Sequence, residues 1–193
     1  NSTTSYYAQS VYEFTSLFGG LNDNSLGSGG YYQGNRHLIF DNYSPSTLVS
    51  VLVYSDSDGF RTIELRNSNN AVLQDTTLFI PISSNGVRLY LDFNLPVQNN
   101  MQLGVSGTDN DMYRNSSGAI FPYNINDIVS ITGTNAPAGY YYFFYDWEVK
   151  KESCTSNISI VEATIDNNTS NTSNISACGS YLWPVNGQTY NTS

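Results

Sequence analysis

The segment Tyr140-Tyr141-Tyr142-Phe143-Phe144-Tyr145-Asp146-Trp147-Glu148-Val149 decides the fold of this chain. Its alternate residues from Tyr141 to Val149 are apolar or aromatic, which is the period of a β-strand. The intervening residues are also aromatic as far as Asp146, and a strand that is apolar on both faces is covered from both sides. We predict a central strand that packs into an aromatic core. The alternative is an outward platform for a sugar or a protein, made of Tyr140, Tyr142 and Phe144.

Shorter segments of the same kind precede this one and are separated by turn signals such as Asn67-Ser68-Asn69-Asn70. The clearest alternation places apolar residues at Val87, Leu89, Leu91 and Phe93, and Leu103 and Val105 repeat it. Helix formers are scarce and no stretch holds a 3.6-residue apolar period. The sequence therefore predicts an all-β fold. We expect an antiparallel β-sandwich of jelly-roll type over residues 1–152, with residues 1–30 as an edge strand or linker.

The composition changes abruptly near residue 153, where Ser, Thr and Asn replace the aromatic residues. Residues 153–193 are predicted to form a polar C-terminal extension that connects the sandwich to a following module. Five asparagines in this stretch open Asn-X-Ser/Thr triplets, which makes them candidates for glycosylation. A flexible linker without glycans is the alternative. The five are Asn157, Asn167, Asn168, Asn171 and Asn174.

Cys154 and Cys178 are the only cysteines of the chain, and both lie in this extension. A disulfide between them would close a loop of about 25 residues and stabilise the fold by about 3 kcal/mol. Disulfides favour an oxidising, extracellular location. Whether the two cysteines pair with each other is left open by the sequence.

Charge excludes several classes of partner. The 193 residues carry a net charge of -9, and only 12% of them are charged. Because binding to phosphates needs clustered Lys and Arg, nucleic acid and anionic membrane surfaces are not expected partners. The chain has no apolar run long enough for a transmembrane helix, so no membrane insertion is expected.

Catalytic signatures are missing. His37 is the only histidine, and no Gly-X-Ser-X-Gly motif accompanies it, so we expect it to be a surface or edge residue. A zinc site needs more His and Cys ligands than the chain offers. The carboxylates Asp92, Asp146 and Glu148 alternate with apolar residues and are predicted to face outward. The chain is therefore predicted not to be an enzyme and to need no cofactor.

Calcium is the metal ion for which the sequence offers a candidate site. In Asp56-Ser57-Asp58-Gly59, two carboxylates alternate before a glycine and can offer hard oxygen ligands. However, Phe60 and Arg61 follow where a calcium loop would continue with further ligands. A tight hairpin turn is the alternative for Asp56 and Asp58.

A glycan-binding site is the second kind of site considered. Tyr113, Arg114 and Asn115 follow the acidic loop Asp109-Asn110-Asp111, and Tyr142 lies in the aromatic segment. Aromatic faces stack on sugar rings, while Arg and Asn supply hydrogen bonds that orient the sugar. The alternative is a loop that packs Tyr113 and exposes its neighbours.

Two stretches resemble known proteins. Cys178-Gly-Ser-Tyr181-Leu-Trp183-Pro-Val-Asn186-Gly187-Gln-Thr-Tyr190 resembles the opening of repeats in very large surface proteins of Bacteroidota. Such repeats continue through Gly-X-Tyr, and this chain stops before that continuation. The stretch from Gly34 to Val149 is similar to a β-sandwich module found beside such repeats. The similar segments are His37–Asp41, Leu48–Val51, Arg61–Leu65, Gln102–Val105, Tyr113–Asn115 and Tyr141–Val149.

The resemblance implies export, commonly by the type IX route, and display at the cell surface. It carries over no catalytic residues. We therefore expect a non-catalytic structural or adhesive module of a bacterial surface protein or fibre. Its expected partners are neighbouring modules or identical subunits, bound through at least one of the strand-like segments Tyr6–Phe14 and Ile158–Ile165. The alternatives are that these segments close the edges of the sandwich or that they are disordered termini. The alternative is a carbohydrate-binding module that uses exposed tyrosines to bind surface glycans.

Overall fold

The computed structural model describes residues 2–165, 172, 175 and 179–191, and within them every regular element is a β-strand. The strands are β1 Ser2–Ala8, β2 Val11–Tyr12, β3 Leu17–Gly19, β4 Gly29–Tyr32, β5 His37–Asn42, β6 Ser46–Ser55, β7 Gly59–Arg66, β8 Val72–Ile80, β9 Ser83–Leu95, β10 Gln98–Val105, β11 Met112–Asn115, β12 Tyr123–Ile125, β13 Val129–Thr134, β14 Tyr141–Tyr142, β15 Tyr145–Lys151, β16 Cys154–Thr155, β17 Ser159–Ile165, β18 Ser180–Trp183 and β19 Gln188–Asn191.

The chain divides into two compact units. The larger unit is Ser10–Ser156, and the smaller one combines Asn1–Gln9 with Asn157–Ser193. The unit that contains the sandwich thus begins at Ser10 and ends at Ser156, whereas the prediction was residues 1–152. Strand β1 lies in the smaller unit, where it pairs with β17.

The larger unit is an antiparallel β-sandwich. One sheet has the order β12-β13-β5-β10-β7-β8. The other has the order β14-β11-β6-β15-β3, with β4 paired to β11 and β9 paired to β6. The jelly-roll strands are numbered 1 to 8 in chain order as β3, β5, β6, β7, β8, β9, β10 and β15. The first sheet then has the order 2-7-4-5 and the second has the order 1-8-3-6. Apart from β7 and β8, which pair within one sheet, successive strands of these eight alternate between the sheets as in a jelly roll, so the predicted fold class is confirmed.

Trp147 joins the two sheets at the centre of the core. It lies on β15, is fully buried, and packs edge-on against Phe40 of β5, with ring centroids 5.1 Å apart. Its indole N–H donates a hydrogen bond of 2.9 Å to the carbonyl of Phe144, so no polar group is left unpaired. The other predicted core residues are buried too, except that Val87 is only partly buried: Leu89, Leu91, Phe93, Leu103, Val105, Phe143 and Tyr145.

The aromatic segment differs from the single long strand that its alternation predicts. It forms β14 and β15, and the chain turns between them at Phe143, whose φ is 66°. The Phe144 N–H donates to the Tyr142 carbonyl at 2.8 Å, which closes this turn. Because both Tyr142 and Phe144 are buried, the segment supplies core rather than an outward platform.

Candidate functional site

The four predicted ligand residues are neighbours in the structure. Tyr113, Arg114 and Asn115 belong to β11, and the antiparallel pairing with β14 places Arg114 opposite Tyr142. Strand β4 pairs with β11 on the other side, where Tyr31 lies opposite Tyr113. The four residues that were predicted to form one binding site are therefore neighbours in the sheet.

Asn115 and Tyr142 are buried, and Asn115 holds neighbouring segments in place. Its side-chain amide donates to the carbonyls of Asn24 and Leu26, and its Oδ1 accepts a hydrogen bond of 2.7 Å from the Tyr145 hydroxyl. Burial raises the pKa of that hydroxyl, which stays protonated as a donor. These contacts use the hydrogen-bonding groups of Asn115 within the fold, so its role is structural.

Arg114 is enclosed by tyrosine rings. Its guanidinium carbon lies 4.7 Å from the ring centroid of Tyr32 and 4.9 Å from that of Tyr140, with Tyr142 at 5.8 Å. Its Nε and Nη1 atoms are buried and have no hydrogen-bond partner among the described residues. The guanidinium is thus held chiefly by cation–π attraction. This aromatic cage leaves little of Arg114 for a ligand.

The loop at Asp56 and Asp58 is organised around a cation from the protein itself. The guanidinium of the buried Arg61 donates to the carbonyls of Ser57 at 2.8 Å, and of Gly59 and Ile80 at 3.2 Å each. The carbonyl oxygens of this loop are therefore already hydrogen-bonded to a cation of the protein, and the geometry supports the turn alternative. Among the described residues, no three His, Cys, Asp or Glu side chains cluster in a way that could hold a metal ion.

His37 is buried on β5, so its prediction as a surface or edge residue is wrong. Its strand lies between β13 and β10, which cover it from both sides in the sheet. Burial, together with the positive charges of Arg66 and Arg36, lowers the pKa of the imidazole from 6.5 to about 4. The side chain is therefore neutral at pH 7.

We expect this histidine to make the fold sensitive to mild acid. Between pH 6.5 and about 4 the unfolded chain binds a proton that the folded chain does not, so the free energy of unfolding falls as the pH falls through this window. Urea unfolding at pH 7 and pH 4.5 should show a larger loss of stability for the wild type than for His37→Gln. Equal losses in the two proteins would show that His37 does not cause the effect.

The predicted modification sites lie mostly outside the described residues. Cys154 is exposed on β16, and it lies opposite Tyr12 in the pairing of β16 with β2. Cys178 lies outside the described residues. The disulfide therefore stays a prediction. Asn157 is exposed, as glycosylation would require. Asn167, Asn168, Asn171 and Asn174 also lie outside the described residues.

The smaller unit contains a ribbon that the sequence did not predict. Strands β1 and β17 pair antiparallel over seven residues each, from Ser2 opposite Ile165 to Ala8 opposite Ser159. We call this pair the β1–β17 ribbon. Every residue of both strands is exposed. An isolated two-stranded ribbon is at best marginally stable in water, so this element has much to gain from a partner.

The two faces of the β1–β17 ribbon differ in character. Cross-strand partners point to the same face, and the more apolar face carries Tyr6 opposite Val161 and Thr4 opposite Ala163. The other face carries the acidic Glu162 opposite Ser5, and beside them Tyr7 opposite Ile160, which are 71% and 61% exposed. Tyr6 and Val161 are 59% and 58% exposed, which is unusual for a paired aromatic and β-branched residue. The apolar face is therefore a candidate interaction surface.

The segment that resembles a repeat opening forms a hairpin. Strands β18 and β19 place Tyr181 opposite Tyr190, and the Gly187 N–H donates to the Trp183 carbonyl at 2.9 Å. Gly187 has a φ of 67°, which favours glycine at this turn.

No family model, curated protein or solved structure that was compared with this chain matches it. The relationship to surface proteins of Bacteroidota therefore stays a prediction. Among the described residues, no helix has the length and apolar character that crossing a membrane requires.

Proposed function

We propose that this chain is a non-catalytic structural or adhesive module of an extracellular protein, which associates with identical subunits through the β1–β17 ribbon. The observation that carries the proposal is the ribbon itself, in which Tyr6 and Val161 expose more than half of their surface. Burying apolar surface stabilises by about 25 cal/mol for each Å² removed from water, so a partner on this face is favourable.

Open strand edges offer a second source of affinity. A two-stranded ribbon has unpaired backbone donors and acceptors along both outer edges. A strand from another copy can satisfy them by extending the sheet, while alternate side chains pack on the apolar face. Charge does not oppose this contact, because the apolar face carries Thr4, Tyr6, Val161 and Ala163 and no acidic residue among these pairs.

The alternative, glycan binding through Tyr113, Arg114, Asn115 and Tyr142, is less well supported by the geometry. Two of these residues are buried, and Arg114 is enclosed by aromatic rings. Only Tyr113 and Arg114 of the four are partly exposed, and tyrosine rings pack around the Arg114 guanidinium. The cluster stabilises the fold better than it presents a binding surface.

A single substitution in the ribbon tests the proposed association. The purified chain should form dimers or larger assemblies whose proportion rises with concentration in sedimentation equilibrium. Val161→Asp should weaken this association by about tenfold or more, since it removes apolar contact and places a charge in the interface.

Ser5→Asp is the matched control, because it adds the same charge to the opposite face of the same ribbon. It should leave the association nearly unchanged. A chain that stays monomeric at all concentrations, or two variants with equal effects, would contradict the proposal.

A further inference from the structure

A row of four residues crosses the second sheet on one face, with exposed aromatic side chains at its ends and the buried Ser50 between them. Pairing places Phe18 of β3 opposite Glu148 of β15, Glu148 opposite Ser50 of β6, and Ser50 opposite Tyr90 of β9. Directly opposed residues share a face, so the four side chains project to the same side. The row spans three inter-strand spacings, about 14 Å. Its two ends are aromatic and exposed, Phe18 by 57% and Tyr90 by 65%.

Arg88 lies beside this four-strand row and is fixed by several contacts. Its Nη1 donates to the backbone carbonyl of Asp146 at 2.7 Å and to the Ser50 hydroxyl at 3.2 Å, while Nη2 pairs with the Asp146 carboxylate. The guanidinium carbon lies 5.5 Å from the Phe18 ring centroid. Both partners of the ion pair remain about a quarter exposed, at 26% and 27%, so they are positioned but still accessible.

The carboxylate in the middle of the row is also fixed. The Ser50 hydroxyl donates to Oε2 of Glu148 at 2.6 Å, and Ser50 in turn accepts from Arg88. The chain of contacts joins three strands, β9, β6 and β15, without involving a loop. Polar groups held on rigid strands lose little freedom when a ligand binds, which favours affinity.

Two β-bulges flank the row. The register of β15 on β6 shifts between Tyr145 and Glu148, and the register of β9 on β6 shifts where Leu48 is followed by Ser50. Asp146 and Asp92, at the bulges, have φ values of 41° and 49°, which non-glycine residues seldom adopt. Bulges redirect side chains and are frequent next to binding sites, and strained residues concentrate at functional positions.

We propose that this face is a binding site for an uncharged oligosaccharide, which lies across the strands from Phe18 to Tyr90. The apolar faces of sugar rings stack on the two exposed aromatic side chains. Hydroxyl groups between them donate to the carboxylates of Glu148 and Asp146 and accept from Arg88. The site shares no residue with the β1–β17 ribbon, so it is independent of the association proposed above.

Charge at the site selects the class of ligand. Arg88 is already paired with Asp146, and Glu148 adds a further negative charge, so an acidic glycan would be repelled. A protein partner is also disfavoured, because the centre of a protein interface is depleted in charged residues whereas the middle of this row is charged. Many hydroxyl groups on a ligand satisfy such a surface without adding charge.

The test uses the whole chain and a panel of neutral polysaccharides, namely glucans, mannans, xylans and galactans, in affinity gel electrophoresis. At least one of them should retard the wild type. Tyr90→Ala and Phe18→Ala should each weaken that binding by about tenfold, the loss expected from one stacked aromatic ring. Glu148→Gln should weaken it as well, while urea unfolding shows that the fold is kept.

Tyr43→Ala and Phe60→Ala are the matched controls, since Tyr43 is 52% exposed and Phe60 74% exposed elsewhere on the sandwich. They should bind like the wild type. The proposal is overturned if no neutral polysaccharide retards the chain, if only acidic ones do, or if the controls lose as much binding as the site variants. Self-association that Tyr90→Ala weakens, without any glycan binding, would also overturn it and would identify this face as a protein interface.

Discussion

Replacing Trp147 by alanine should destabilise the sandwich by about 3–5 kcal/mol, the cost of emptying a large buried aromatic site. The side chain is fully buried between the sheets, contacts Phe40 of the opposite sheet, and donates its N–H to the carbonyl of Phe144. The substitution leaves a cavity at the centre of the core and a buried carbonyl without its donor. Since the free energy of unfolding of a domain is only about 5–15 kcal/mol, this substitution would remove much of it. Urea unfolding followed by far-ultraviolet circular dichroism measures the loss.

Phe60→Ala provides the comparison, because this ring is 74% exposed on the outer face of β7. Its effect should stay within about 1.5 kcal/mol, because the main contact it loses is the edge-on one with the Phe79 ring. Trp147→Phe should fall between the two, since it retains an aromatic contact and loses the N–H. If Trp147→Ala cost no more than Phe60→Ala, the described core packing would be wrong.

Arg61→Met should be the second large loss, about 3 kcal/mol or more. The arginine donates from the interior to backbone carbonyls on separate turns, which include those of Ser57, Ile80 and Asn110. Burial lowers the pKa of Arg61, and nearby carboxylates, first that of Asp111, oppose this and keep the charge favourable. Methionine fills much of the volume of the arginine side chain but donates no hydrogen bond. Several buried carbonyl oxygens are then left unpaired, and each costs about 1–3 kcal/mol of stability. Thermal or urea unfolding gives the difference.

Arg36→Met is the matched control, because Arg36 is only partly buried and hydrogen-bonds the exposed Asn135 carbonyl and the Tyr32 side chain, with no set of buried carbonyls around it. We expect a loss of about 1 kcal/mol or less there. Arg61→Lys should recover only part of the stability, since one ammonium group cannot face carbonyls on all sides as the planar guanidinium does. Equal stability of Arg61→Met and the wild type would show that these hydrogen bonds do not hold the turns together.

Much of the fold was predictable because strand periodicity is local. Leu89, Leu91 and Phe93 alternate with polar residues, and this pattern alone identifies which face of β9 is buried. The break in the aromatic segment was not predictable, because phenylalanine has no turn-forming character and Phe143 nevertheless has a φ of 66°. Local sequence likewise gave no sign that His37 would lie between two paired strands.

The candidate sites were harder to predict from the sequence, because they depend on pairing between distant segments. Tyr113 to Asn115 were chosen for their residue types, yet burial by β4 and β14 gives them a structural role. Phe18 and Tyr90 are 72 positions apart in number and become neighbours of Glu148 and Ser50 only through strand order. The β1–β17 ribbon joins residues separated by most of the chain. In the row from Phe18 to Tyr90 and in the β1–β17 ribbon, the residue types carry no functional signal in the sequence. Only strand pairing and register bring them together on one surface.

The central claim, that the β1–β17 ribbon is an association surface, is tested most directly by hydrogen exchange. Backbone amides of residues 2–8 and 159–165 are followed in dilute and in concentrated samples of the same protein. The account predicts slower exchange in both segments at high concentration, while the amides of β15 in the sandwich core exchange equally slowly in both samples. Fast exchange of both segments at every concentration would contradict it.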